Sequence, residues 1–187
     1  MAMFKSSKTV AFLLVTVFSI TIAGCSATVE DYQGESPQLD MASYFNGPLQ
    51  AWGMFQNRSG KVIKRFEVQM QGSWQGSWQG GKGVLDEHFT YADGTTQRRV
   101  WKLQKLDQHR YHGTADDVVG EATGVAYGNA LFWTYTMALE VDGEVYHVDF
   151  DDWMYMIDRD TVINRSVMKK LGFTLGEVTL VFRRLQT

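Results

Sequence analysis

The chain has 187 residues, 18 Lys and Arg against 21 Asp and Glu, and a formal net charge of −3. That length suits one domain with a real core, and a mildly acidic chain without a basic block is not a nucleic-acid binder. The only cysteine is Cys25, which excludes internal disulfides and cysteine metal sites.

Residues 1–24 read as a signal peptide. Lys5 and Lys8 form a positive start, residues 10–20 an apolar core too short to span a membrane, and Ile22-Ala23-Gly24-Cys25 a small-residue ending. That ending resembles the bacterial lipobox, which implies cleavage before Cys25 and a diacylglyceryl group on its sulfur. Two acyl chains give stable anchoring. Ser26 stands where an aspartate would resemble an inner-membrane retention signal, so the expected location is the periplasmic face of the outer membrane. The other reading is an ordinary secretory signal with an incidental cysteine. Residues 25–38 are polar, contain Pro37 and lack periodicity, predicting a lipidated tether ahead of a domain over 39–187.

The first strands are predicted over 49–56 and 61–70, the second with Phe66, Val68 and Met70 on one face and Arg65, Glu67 and Gln69 on the other. Residues 71–81 repeat Gln-Gly-Ser-Trp. Trp74 and Trp78 there form either a stacking platform for a sugar or aromatic packing around a bent strand. Strands over 84–91 and 97–105 flank Ala92-Asp93-Gly94. A three-residue loop with Gly94 in the left-handed region pairs Leu85 with Trp101, Glu87 with Arg99 and Phe89 with Gln97. Short glycine-containing strands follow over 110–113 and 120–127.

Residues 129–156 carry the clearest pattern. Two alternating runs are broken by Asp142-Gly143, a type I′ hairpin signal. That turn sets Val141 against Glu144, Leu139 against Tyr146, Met137 against Val148, Tyr135 against Phe150, Trp133 against Asp152 and Leu131 against Met154. One face is apolar except for Asp152. A further strand is predicted over 157–165, a helical turn over 166–173 ending at Gly172, and a closing strand over 176–185. The whole is an all-β antiparallel up-and-down meander of about eight to ten strands, which closes into a barrel or folds as a sandwich.

Several blocks resemble the DUF3833 family of bacterial lipoproteins: Glu87-His-Phe-Thr-Tyr-Ala-Asp-Gly94, Arg99-Val-Trp101, Tyr111-His-Gly-Thr-Ala-Asp-Asp-Val-Val-Gly120, Gly128-Asn-Ala130, Asp151-Asp-Trp-Met154 and Ile163-Asn-Arg-Ser166. The resemblance implies a lipocalin-like (calycin) barrel on a lipid anchor. Its members' genes often lie near genes for fatty-acid modification, which implies a lipidic ligand. The family supplies no catalytic residues. Gly72-Ser-Trp74 also looks like the Gly-x-Trp signature of lipocalins.

Strand parity turns Glu87, Arg99 and Asp152 inward. Buried charges need partners or a wet cavity, so these three form either a ligand-facing cluster, with Arg99 available to an anionic headgroup, or a structural salt bridge. The expected apolar lining is Trp101, Trp133, Tyr135, Met137, Tyr146, Phe150 and Met154. Asp149, Asp151, Asp152, Asp158 and Asp160 do not fit a calcium loop, because Met154 falls where glycine is required. His109 and His112 point to opposite faces of a strand, so no metal or cofactor is expected. There is no Gly-x-Ser-x-Gly elbow. Glu87 with Asp152 would suit acid–base work on a lipid. The expected function is binding or carrying a hydrophobic small molecule such as a fatty acid or lipid. The alternatives are an assembly lipoprotein acting through its surface and, third, an enzyme on envelope lipid.

Overall fold

A computed structural model describes residues 26–76 and 80–186. The signal peptide, Cys25 and Trp78 lie outside the described residues. Ten antiparallel strands run in sequence: β1 (Gly47–Asn57), β2 (Val62–Gln75), β3 (Lys82–Tyr91), β4 (Thr96–Lys105), β5 (Arg110–Thr114), β6 (Val118–Tyr127), β7 (Ala130–Val141), β8 (Glu144–Met156), β9 (Thr161–Lys170) and β10 (Phe173–Arg184). Each pairs with the next, and β1 also pairs with β10, so the meander closes into a barrel. Closure pairs the body of the sheet on both sides, leaving edges only where a hairpin tip runs past its neighbour, as β8 does before Asp149.

The turns hold the registers the sequence predicts. Asp142 (φ 54°) and Gly143 (φ 84°) both adopt positive φ, as a type I′ turn requires. Leu139 accordingly faces Tyr146, Trp133 faces Asp152 and Leu131 faces Met154. Gly94 (φ 85°) ends the β3–β4 loop and sets Leu85 opposite Trp101 and Glu87 opposite Arg99.

Residues 166–173 differ from expectation. Instead of a helical turn, β9 continues to Lys170, and Leu171-Gly172, both at positive φ, turn straight into β10. Alternation through Val162, Asn164 and Ser166 keeps those side chains buried on the inner side. The stretch read as a tether is also partly structured. Val29–Tyr32 forms a 3₁₀ turn, with Val29 buried and Tyr32 packed on Trp153 (6.1 Å) and Tyr155 (5.6 Å). The outer face of β8 is aromatic there, and covering it removes apolar surface from water.

One end of the barrel is plugged by Leu39–Phe45, which includes the short helix α1 (Met41–Tyr44). Asp40 caps α1, accepting from the Ser43 amide at 2.9 Å. The Lys105 ammonium also donates to Asp40, as does the Tyr111 hydroxyl at 3.1 Å. The Tyr44 hydroxyl points at the carbonyls of Asp160 (3.1 Å) and Phe182 (3.2 Å). Trp74 is a strut for this plug, its indole N–H donating to the Phe45 carbonyl at 3.1 Å. Gly72 lets the plug approach, since a Cβ there would lie 1.9 Å from the Phe45 oxygen. All of these contacts lie within residues 26–186, so that part holds a complete core and folds as a unit.

Candidate functional site

The plug closes one end, and the tips of β1–β2, β3–β4, β5–β6, β7–β8 and β9–β10 lie at the other. Between them is a cavity of about 390 Å³, within the range of small-molecule sites, about 300–1,000 Å³. Met41, Phe45 and Phe182 form its floor, and Phe55, Lys64, Tyr91 and Val141 stand at its mouth. The aromatic wall is interlocked. Trp101 meets Trp133 and Tyr135 edge-on at 5.9 and 5.5 Å, and Tyr135 stacks on Phe150 at 5.0 Å. Such pairs favour fixed relative orientations of their rings.

Trp101, Trp133, Tyr135, Met137, Phe150 and Met154 all line this cavity. Tyr146 is absent from its wall: it is 42% exposed, with the Lys170 ammonium 4.4 Å from its ring centroid. β8 pairs with β9 only from Asp149 onward, so Tyr146 lies on the free part of the hairpin with no neighbouring strand on that side.

Glu87, Arg99 and Asp152 all face the cavity, with Glu87 only 8% and Asp152 only 6% exposed. Their pairing differs from the simple cluster that parity suggests. Arg99 bridges Asp117 of the β5–β6 turn, donating from Nε at 3.0 and 2.9 Å and from Nη2 at 2.7 Å. It lies 3.9 Å from Glu87 and 5.5 Å from the centre of the Phe89 ring. Asp152 instead accepts from the Asn164 amide and the Ser166 hydroxyl of β9. Asp117, Asn164 and Ser166 therefore complete the site, and the sequence did not single them out.

Burial pushes the Glu87 carboxyl up to about 7, reinforced by the negative charge of Asp117 and Asp152 and opposed by Arg99. Burial also pushes Asp152 up to about 6, against the pull of Ser166, Asn164 and Arg99. Arg99 is raised as well, which for a base favours the charged form. Burial disfavours its charge, but Asp117 and Glu87 more than compensate, so it stays protonated. The Tyr135 hydroxyl, buried beside these carboxyls, is raised well above its ordinary range and stays neutral. Among the described residues, no cluster of three or more His, Cys, Asp or Glu is arranged to hold a metal ion. The acidic side chains of β8 outside the barrel have other partners, Asp149 accepting from Thr136 at 2.7 Å and Asp151 from Lys169.

Residues 19–184 match the family model described as "Protein of unknown function (DUF3833)". The chain belongs to this family. No curated protein matches it. Among solved structures it is similar to an S-type phycobiliprotein lyase from Guillardia theta, with a TM-score of 0.60 and 5% identity over 79% of this chain and 92% of that one. A de novo designed fluorescence-activating β-barrel matches at TM-score 0.41 and 14% identity, over 79% and 99% of the two chains. The likeness to the lyase shows that this DUF3833 member shares a barrel fold. A shared fold does not fix what the interior does, which depends on the side chains that line it.

Proposed function

We propose that this DUF3833 protein is a membrane-anchored lipoprotein that binds or carries a hydrophobic small molecule inside its barrel, on the periplasmic face of the outer membrane. The observation that carries the reading is the cavity of about 390 Å³, walled by aromatic and methionine side chains around a few buried polar groups. A barrel built only as a scaffold would fill that space with its own side chains, because voids in a core destabilise it. Lyase activity on phycobiliproteins belongs to the similar structure alone, which supplies only the precedent of the fold.

Cys25 stands just ahead of Thr28, the N-cap of the packed 3₁₀ turn, and Leu39 donates to the Gly128 carbonyl at the plugged end. With the lipid on Cys25, the plugged end lies toward the anchoring membrane and the mouth faces away from it. The second reading, action through surface contacts, is favoured by Leu171 (87% exposed) and Phe173 (71% exposed) at the β9–β10 tip.

Tryptophan quenching tests the interior reading. Trp101 and Trp133 line the cavity, so an amphiphile brominated along its tail should quench a saturable part of the emission. That part should vanish in the Trp101→Phe/Trp133→Phe variant. Quenching that never saturates, or that survives both substitutions, would place any binding outside the barrel. For the anchor, Cys25→Ala should abolish the diacylglyceryl mass and membrane retention; a variant that stays membrane-bound would contradict it.

A further inference from the structure

The polar end of the cavity names a class of ligand, an inference that rests on the small-molecule reading above. The charged groups facing inward are Lys64 from β2, Glu87 from β3, Arg99 from β4 and Asp152 from β8, with Asp117 reaching Arg99 from the β5–β6 turn. Lys64 is exposed at the mouth, 5.1 Å from the centre of the Tyr91 ring. Deeper in, among the described residues, Arg99 is the single cation, and three carboxyls share it. Both oxygens of Asp117 already hold it, Glu87 reaches it only at 3.9 Å, and Asp152 is held by the neutral donors Asn164 and Ser166. Glu87 is more than nine-tenths buried and faces the cavity without a close cation of its own.

A fatty-acid carboxylate seated past Lys64, at the depth of Glu87 and Asp152, would meet two buried carboxyls and no free cation. In a poorly screened interior that is repulsive. A protonated amine carries the missing charge and three donors for the carboxyl oxygens, whereas an alcohol offers one donor and no charge. We propose that the interior site takes an amphiphile whose head is a protonated amine, seated between Glu87 and Asp152 with its apolar tail against Trp101, Trp133 and Phe150, and that it rejects carboxylates. Burial leaves the two acids reluctant to ionise in the empty barrel. An amine restores their charge, as an opposite charge within a few ångströms does.

The test uses the chain from residue 26, which contains the whole barrel and its plug. N-phenylnaphthylamine, a neutral dye that fluoresces in apolar pockets, is displaced at pH 7 by amine, alcohol and carboxylate heads on the same tetradecyl tail. The amine should displace at a concentration about tenfold or more below that of the carboxylate, with the alcohol between them. Glu87→Gln/Asp152→Asn should erase the preference while the dye still binds. A carboxylate that competes as well as the amine, or an unchanged preference in the double variant, would overturn the ligand class and leave the small-molecule reading standing. Failure of the dye and of all three amphiphiles to bind would overturn both.

Discussion

Two groups of charges, one at the plug and one in the cavity, differ in their burial and in their partners. At the plugged end Asp40 receives the Lys105 ammonium, the Tyr111 hydroxyl and the Ser43 amide. Burial pushes the Asp40 carboxyl up, but Lys105 and Ser43 outweigh it and hold the group below the usual carboxylate range. In the cavity, Glu87 and Asp152 are driven upward because their partners do not match the cost of burial. A half-buried carboxylate with its own cation holds a plug in place. Carboxyls left short of cations beside an open volume are poised for something that enters.

That contrast can be broken most forcefully at Arg99. Arg99→Ala removes the only cation deep in the cavity among the described residues and leaves Asp117 and Glu87 uncompensated, so denaturant unfolding at pH 7 should show a loss of about 3–5 kcal/mol. Arg99→Lys keeps the charge but not the two-point bridge to Asp117, and should recover only part of it. Gly72→Ala attacks the plug instead. Its new methyl would meet the Phe45 carbonyl at 1.9 Å, a backbone clash expected to cost about 1–3 kcal/mol in the same assay.

The cavity acids carry a pH signature of definite sign. Glu87 and Asp152 bind protons more tightly folded than unfolded, so their contribution is full below the ordinary carboxylate range and is lost as the pH rises toward about 7. Unfolding free energies of Glu87→Gln measured at pH 5 and pH 8 should therefore fall less with pH than the wild type's, by about 1–2 kcal/mol across that interval. An unchanged slope would mean that Glu87 titrates normally. Tyr44→Phe loses the hydroxyl that points at the Asp160 and Phe182 carbonyls. It should shift stability by about 1 kcal/mol without altering ligand affinity. Tyr146→Ala should change least, within about 0.5 kcal/mol, because the ring is on the surface.

Much of this contrast could be read in the chain. Asp142-Gly143 and Gly94 fix two registers, and period-two alternation then turns Glu87, Arg99 and Asp152 inward. Asp117 could not be found that way, since a turn has no periodicity and its partner is eighteen positions earlier in the chain. Asn164 and Ser166 carried a usable signal. Alternation runs on past Arg165, and Leu171-Gly172 closes a strand turn as Asp142-Gly143 does. Tyr146 has the right parity at the wrong height, because parity says which face a residue takes and not whether a neighbouring strand stands beside it. The plug depends on contacts between Phe45 and the distant Trp74 and Phe182, which no local pattern announces.

The barrel interior is proposed to hold a molecule from the cell. Native mass spectrometry of the full chain purified from its own membranes, with lipid analysis of what it releases, tests this directly. One small amphiphile per barrel, retained by the wild type and lost when Trp133 and Glu87 are replaced together, is the predicted result. An empty barrel that also refuses added amphiphiles of every head group would contradict it.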